Sequence, residues 1–365
     1  MTDTIMFILY LIVLIATFPA LYYVSENYFI NSLESISRRF KISSDIAGST
    51  LMAAGSSTPE LAVVLFALLK SGDHGAIGVG TIVGSALFNL FVIIGAVFLI
   101  HRSKLVWQPL IRDIIFYTIS IILLVFFFKD GDIVMAEALI FVTIYIIYIF
   151  LMYFWKKLIP YDDTEKVLPE KKEMEVKNNT RCSAKTLMHS IDKFIRKLIP
   201  GLNNIFIAFI FSLALICGLS WLMVESAIQI SHFLGIPEVI IGLTVIAIGT
   251  SVPDLLSSII VAKKGRPGMA INNAIGSNIF DILIGFGLPW LLLLIFSDIN
   301  IVVENNDLWI AIGLLIGSVL ILTISFIANK WETKKSIGYT LIILYIIYLI
   351  WEIIGSTYGE IINFW

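Results

Sequence analysis

The chain has 365 residues, of which 58% are hydrophobic and 14% charged, with a formal net charge of -2 and a mean hydropathy of +0.94. That composition excludes an ordinary soluble globular domain and points to a multispanning membrane protein. Its two cysteines, Cys182 and Cys217, are too few and too badly placed for a disulfide or thiolate-metal framework.

Crossing a bilayer as a helix takes about 20 mostly apolar residues. Ten stretches meet that requirement: 5–24, 42–69, 76–100, 105–128 and 133–154, then 205–230, 239–262, 269–296, 308–328 and 337–354. The first lacks the basic leader of a cleavable signal and reads as a span. The expected fold class is therefore an all-α polytopic membrane protein. Its ten transmembrane helices would form two five-helix repeats, 1–154 and 205–365, joined by a loop at 155–204. An odd number of spans per half inserts the halves in opposite senses, the inverted layout of many secondary transporters.

Alternate loops place every Lys and Arg except Lys70 and Lys129 on one face, with Arg38, Arg39, Arg102, Lys104, Arg112, Lys263, Lys330 and the central loop. The positive-inside rule makes that face cytoplasmic and puts both termini outside. The other face carries Asp3, Asp73, Asp130, Asp132, Glu238, Asp298, Glu304, Asp307 and Glu360, a negative rim that disfavours anionic cargo. Within the loop, 162–181 is dense in Lys and Glu and is expected to lack fixed structure. From 184 to 198, Leu187, Met188, Ile191, Phe194, Ile195 and Leu198 recur at helical spacing among basic residues, which fits a helix on the inner leaflet or a plain connector.

Two pairs of short motifs interrupt the apolar pattern. Gly55-Ser56-Ser57-Thr58-Pro59-Glu60 is nearly repeated 194 residues later as Gly249-Thr250-Ser251-Val252-Pro253-Asp254. Gly84-Ser85-Ala86-Leu87-Phe88-Asn89 returns 192 residues later as Gly276-Ser277-Asn278-Ile279-Phe280-Asp281. At about 1.5 Å of rise per residue, Glu60, Asn89, Asp254 and Asp281 fall within about 8 Å of the centres of their spans. Antiparallel pairs packed in inverted halves would bring the four together. Gly/Pro pairs loosen the local turns, and the carbonyls of Ala53 and Ala247 are expected to turn toward the cavity.

The resulting donors are all oxygen: the carboxylates of Glu60, Asp254 and Asp281, the amide of Asn89, and the hydroxyls of Ser56, Ser57, Ser85, Thr250, Ser251 and Ser277. Neither imidazole nor thiolate joins them, so a hard cation is expected. Three carboxylates can balance one Ca²⁺ with a monovalent ion, or about three Na⁺. The same residues leave other readings open. Acids alone could exchange Ca²⁺ for protons, although hydroxyl-rich surroundings suit Na⁺ better. An aspartyl protease dyad of Asp254 and Asp281 leaves Glu60 and Asn89 unexplained, and two inverted halves suit coupled exchange better than a passive channel.

These motifs, about 50–95 and 244–289, resemble the paired alpha repeats of the sodium/calcium exchanger family within the cation/calcium antiporters, most closely its potassium-dependent branch. The resemblance implies a transporter rather than an enzyme, driven by Na⁺, in which the first and sixth helices slide across the core. Glu60 and Asp254 would be principal Ca²⁺ ligands, and Ser57, Ser85, Asn89, Ser251, Ser277 and Asp281 would line flanking Na⁺ sites. An Asp at position 281 is linked to K⁺ use, but some K⁺-independent relatives share it. The transported ions Na⁺, Ca²⁺ and, in that branch, K⁺ are the expected partners, with the lipid bilayer. No prosthetic group, nucleic acid or obligate protein partner is expected. A loop of about 50 residues leaves no room for the calcium-sensing domains of large animal relatives. The expected host is a plasma or inner membrane.

Overall fold

A computed structural model describes residues 2–39, 53–70, 74–100, 103–129, 131–161, 204–263, 265–296, 301–302 and 308–362. The expectations for the central loop, its amphipathic stretch included, lie outside the described residues.

Helix dominates. The first half comprises α1 (Thr2–Val24), α2 (Asn31–Arg39), α3 (Ala53–Ser56), α4 (Thr58–Leu69), α5 (Gly75–Phe88), α6 (Ile94–Ile100), α7 (Trp107–Phe127) and α8 (Met135–Leu158). The second comprises α9 (Ile205–Leu234), α10 (Glu238–Ile241), α11 (Ala247–Lys263), α12 (Pro267–Phe280), α13 (Gly287–Phe296), α14 (Leu308–Ala328) and α15 (Lys335–Ile362). Single π-helical turns at Ser25–Ile30, Asn89–Ile93, Gly242–Ile246 and Asp281–Phe286 weld neighbouring helices into longer ones.

Among the described residues, eight helices are long and apolar enough to cross a bilayer, and two shorter apolar ones, Thr58–Leu69 and Ile312–Ala328, accompany them. Each falls on one of the stretches read from the sequence. The first stretch was expected to stop at 24, yet its helix continues through the π turn to Arg39. The polar side chains there bond back one turn and do not cap an end: Asn27 Nδ2 donates to Tyr23 O at 2.9 Å, Asn31 Nδ2 to Asn27 O at 3.0 Å and Ser32 Oγ to Tyr28 O at 2.6 Å. Local capping fixes other ends. Asn204 Oδ1 accepts from Phe206 N at 3.0 Å to open α9, and Gly235, at φ 66°, closes it in the left-handed conformation that glycine adopts without strain.

The halves interleave. Helix α1 lies along α9, and α5 packs against α10, the Gly242–Ile246 turn and α11. The α5 crossing is made by small residues: a Cβ built on Gly242 would sit 2.6 Å from Ile77 O and 3.1 Å from Thr81 N, so the backbones touch where any side chain would separate them. At one end of the bundle Ser103 N donates to Thr333 Oγ1 at 2.8 Å and Leu105 N to Trp331 O at 2.8 Å. At the other, strands β1 (Asp132–Ile133) and β2 (Ile301–Val302) pair antiparallel, Asp132 opposite Val302.

Buried apolar residues divide into two principal clusters. The larger is drawn from α4–α8 and α10–α15, whereas α1 and α9 contribute nothing to it. They build a second cluster instead, in which Leu14, Leu21, Ile216, Val224 and Ala227 meet Val63, Ala67, Ile77, Ile241 and Ile246. Two of the sequence assignments to loop surfaces change. Arg112 sits inside α7, 6% exposed, with Nε 2.7 Å from Asp113 Oδ1. Tyr148 OH donates to the same carboxylate oxygen at 3.1 Å, which is how the apolar interior tolerates the charge pair. Glu238, assigned to the free acidic rim, lies 2.9 Å from His74 Nδ1.

Replacing Gly242 with Val should lower stability by about 1–3 kcal/mol through overpacking of the α5 crossing. Gly218→Ala, mid-helix in α9 where a Cβ meets nothing within 4 Å, should instead raise it by about 0.5–1 kcal/mol. Thermal unfolding of the two detergent-purified variants checks the contrast.

Candidate cation site

The four motifs converge where the first and second halves interleave. The chain breaks between α3 and α4 at Ser57, whose N–H still reaches Ala53 O at 3.0 Å, and Pro59 opens α4. In the second half Pro253 is held inside α11, and the backbone irregularity is the Gly242–Ile246 π turn just upstream. A proline deprives the carbonyl four residues back of its partner. The carbonyls so released are those of Gly55 and Gly249, not the expected Ala53 and Ala247. Ala53 O accepts from Ser57 N and from Ser56 Oγ at 3.1 Å, and Thr250 Oγ1 lies 3.4 Å from Ala247 O. The other two key positions also coincide with irregular backbone: Asn89 and Asp281 are the first residues of their π turns, a distortion that recurs at functional positions in helices.

All four key side chains are buried, Glu60, Asn89 and Asp281 at 1% and Asp254 at 2% exposure. Their contacts cross between halves. Ser251 Oγ of the second half lies 3.4 Å from Glu60 Oε1, and Ser85 Oγ of the first half 3.4 Å from Asp281 Oδ2. The Thr250 hydroxyl also faces Glu60, Ser56 and Ser277 face Asp254, and Ser57 faces Asp281. Several hydroxyls spend their hydrogen on the helix behind them: Ser56 on Ala53 O, Ser85 on Ile82 O at 3.0 Å and Thr250 on Ile246 O at 3.1 Å. Their lone pairs are left for the interior.

Six buried oxygens in this cluster have no hydrogen-bond partner: Ser57 Oγ, Glu60 Oε2, Asn89 Oδ1, Asp254 Oδ1, Ser277 Oγ and Asp281 Oδ1. Buried polar atoms are ordinarily satisfied, and an acceptor left without a donor costs about 1–3 kcal/mol. A set of orphaned acceptors is chemically matched to a hard cation. Among the described residues no three His, Cys, Asp or Glu side chains converge closely enough to hold one metal ion together.

Sequence reasoning passed over three residues at this site. Asn278 accepts from Asn89 Nδ2 at 2.8 Å and donates to Ala86 O at 3.1 Å, so it fixes the Asn89 amide with its oxygen free. The signal was a mismatch, because Ala86 occupies the equivalent place in the first repeat. Tyr117 of α7, with its hydroxyl unpartnered, faces Asn278 and Asp281. Phe18 of α1 lies against Gly249, where any Cβ would run into its ring. A second duplication also escaped notice: Tyr145-Ile146-Ile147-Tyr148 and Tyr345-Ile346-Ile347-Tyr348. Tyr145 meets Phe280 and Tyr345 meets Phe88, each with ring centroids 5.5 Å apart and planes at 78°. Each tyrosine thus backs the motif helix of the opposite half.

Composition and fold define a multi-pass helical membrane protein. The sequence-family model described as "Sodium/calcium exchanger protein" matches residues 10–154 and 204–354, and the chain belongs to that family. Among curated relatives it is similar to sodium/potassium/calcium exchanger 2 of Gallus gallus, 29% identical across 94% of this chain and 76% of the relative. It is likewise similar to human sodium/potassium/calcium exchanger 4, at 27% identity, 92% and 79%. Among solved structures it shares its fold with the H+/Ca2+ exchanger CAX, at a TM-score of 0.65 and 18% identity over 97% of this chain and 85% of that one. The sodium-calcium exchanger NCX_Mj gives 0.55 and 24% over 93% and 98%.

Gly249→Ala should slow turnover at least several-fold, because the new methyl group must displace the Phe18 ring. Adding Phe18→Ala should recover part of the loss. Initial rates of the single and double variants, at matched reconstitution, test the contact.

Proposed function

We propose that this protein is a secondary antiporter that exchanges Na⁺ for Ca²⁺ by alternating access around the buried oxygen cluster. The observation that carries the reading is the set of six unpartnered oxygens contributed by both halves. Glu60 and Asp254 hold Ca²⁺ on this reading, with hydroxyls from the opposite half completing the shell. The cluster takes Ca²⁺ or several Na⁺ in turn, because either load neutralises the same carboxylates. Ser57, Ser85, Asn89, Ser251, Ser277 and Asp281 line the flanking Na⁺ positions, with Ser56, Thr250 and the backbone around Ala53 and Ala247 beside them. Its ten helices form two inverted halves, 1–154 and 205–365, with the loop cytoplasmic and both termini outside. Na⁺ entering from outside expels Ca²⁺, and any net charge moved gains about 2.3 kcal/mol per elementary charge per 100 mV.

The relatives named for potassium as well as sodium and calcium support a finer assignment: Asp281 accepts K⁺ that travels with Ca²⁺. Asn89, its counterpart in the first half, lacks the charge to do so.

Uptake of ⁴⁵Ca²⁺ into Na⁺-loaded proteoliposomes diluted into Na⁺-free buffer tests the exchanger. Uptake should collapse when the Na⁺ gradient is removed, and a pH gradient should not replace it. Uptake driven by protons alone would overturn Na⁺ coupling in favour of Ca²⁺/H⁺ exchange.

Glu60→Gln and Asp254→Asn should each reduce uptake to background with the purified protein still monodisperse. Transport intact in Glu60→Gln would defeat the ligand assignment. External K⁺ should stimulate the native protein, and Asp281→Asn should remove that stimulation while leaving Na⁺-driven uptake measurable.

A further inference from the structure

Lys70 is one of two basic residues that the charge pattern leaves on the outer face. It ends α4, and its Nζ binds Glu225 Oε2 of α9. Glu225 Oε1 also accepts from Gln229 Nε2 at 3.1 Å, one turn further along the same helix. The two charged side chains remain 24% and 25% exposed, so the bond can open without stranding a charge in the interior.

The pair joins two bodies. Helix α9 packs with α1 and shares nothing with the large apolar cluster, whereas α4 contributes to both clusters. Alternating access requires relative movement somewhere in the molecule, and the α1–α9 pair shares apolar packing with the remainder only through the smaller cluster among the described residues. Lys70–Glu225 fastens α9 to α4 at the edge of that cluster in the conformation described here, and the weaker approach of His232 Nε2 to Glu238 Oε1 at 3.8 Å links α9 to α10.

The repeat makes the contact informative. In a chain of two inverted halves, the outward- and inward-open states are related by exchanging the roles of the halves. An interaction present in both halves stabilises the two states equally and cancels from the balance. The 194-residue offset carries Lys70 to Lys264 and Glu225 to Asn31. The second half therefore retains the cation position, but its carboxylate is replaced by an amide.

We propose that Lys70–Glu225 is a one-sided latch that biases the access equilibrium, and that this pair makes the apparent Ca²⁺ affinity differ between the two faces. The proposal rests on the exchanger reading above. A ligand sees an apparent affinity scaled by the population of the state open to it. Opening the latch therefore raises affinity on one face and lowers it on the other. A mutation that merely damaged the ion site would weaken both.

Half-saturating Ca²⁺ is measured on each face separately, in proteoliposomes whose oppositely oriented molecules are silenced with an impermeant reagent. For Glu225→Gln the two values should move in opposite directions, their fold-changes multiplying to about two- to five-fold, the shift in the access equilibrium expected for a part-exposed ion pair. The charge-swapped double variant, Lys70→Glu with Glu225→Lys, should return both toward the native values. Unchanged affinities, or values moving together, would overturn the latch. A second readout does not require transport: spin-label distances between Phe233 on α9 and Phe126 on α7, both exposed, should redistribute in Glu225→Gln. If the native protein shows no Na⁺-driven flux, the exchanger reading fails by itself. An unchanged distance distribution then removes the latch independently.

Discussion

The burial of three carboxyl groups in a low-dielectric interior is the constraint on which the rest of this structure depends. Three carboxylates, each no more than 2% exposed, sit where ionisation without a partner costs several kcal/mol per ion after relaxation. Among the described residues no Lys or Arg pairs with them, although the chain shows with Arg112 and Asp113 that it can bury an ion pair. Their different surroundings follow from that choice. Around Arg112 the charges satisfy each other, whereas around Glu60, Asp254 and Asp281 the neighbours are hydroxyls and amides that offer oxygen. A permanent cation would close the site, whereas on the exchanger reading a diffusible one occupies it in passing.

The fine structure of the helices serves the same end. A serine or threonine in a regular helix donates its hydrogen to a carbonyl one turn back. Ser56, Ser85 and Thr250 do so here, which orients the oxygen without using its lone pairs. The π turns that begin at Asn89 and Asp281 shift the helical register at those residues. Asn278, from the second half, then ties the Asn89 amide to the backbone of Ala86 one turn back in the first. Close approach of the motif helices is needed for this geometry, and the absence of a side chain at Gly242 permits it. The small-residue crossing and the polar cluster are therefore one design: either would lose its purpose without the other.

Much of the site was legible because membrane interiors are intolerant. A carboxylate beside Gly and Pro in an apolar span is conspicuous, and finding the pattern twice gave Glu60, Asn89, Asp254 and Asp281 together with their crossing partners. The span assignments followed from length and hydropathy alone. Less legible was anything that depended on pairing. Arg112 read as a loop cation because its partners, Asp113 and Tyr148, come from one helix and the next. Glu238 read as a free rim acid because His74 lies 164 residues away in sequence. The end of the first helix was misjudged for a local reason: Asn and Ser normally favour termini, but in α2 their side chains turn back to carbonyls one turn earlier and cap nothing. The carbonyls of Ala53 and Ala247 were singled out by nearness to proline, when the missing bond belongs to the residue four positions before it.

Symmetry and its breaking divide the labour along the chain. Features that the halves share, such as the paired acids at 60 and 254 and the tyrosines at 145 and 345, give the two motif pairs matching surroundings. Features that differ must account for whatever is directional or selective. Asp281 against Asn89 changes the charge of the cluster at one position. Asn278 against Ala86 changes how rigidly that position is held, and Glu225 against Asn31 changes how the α1–α9 pair is fastened to the remainder. These three differences occupy separate layers: the ions, the groups that orient their ligands, and the boundary between the packed bodies. A duplicated ancestor could acquire each of them without dismantling the others, since none lies in the shared apolar contacts that hold the bundle together.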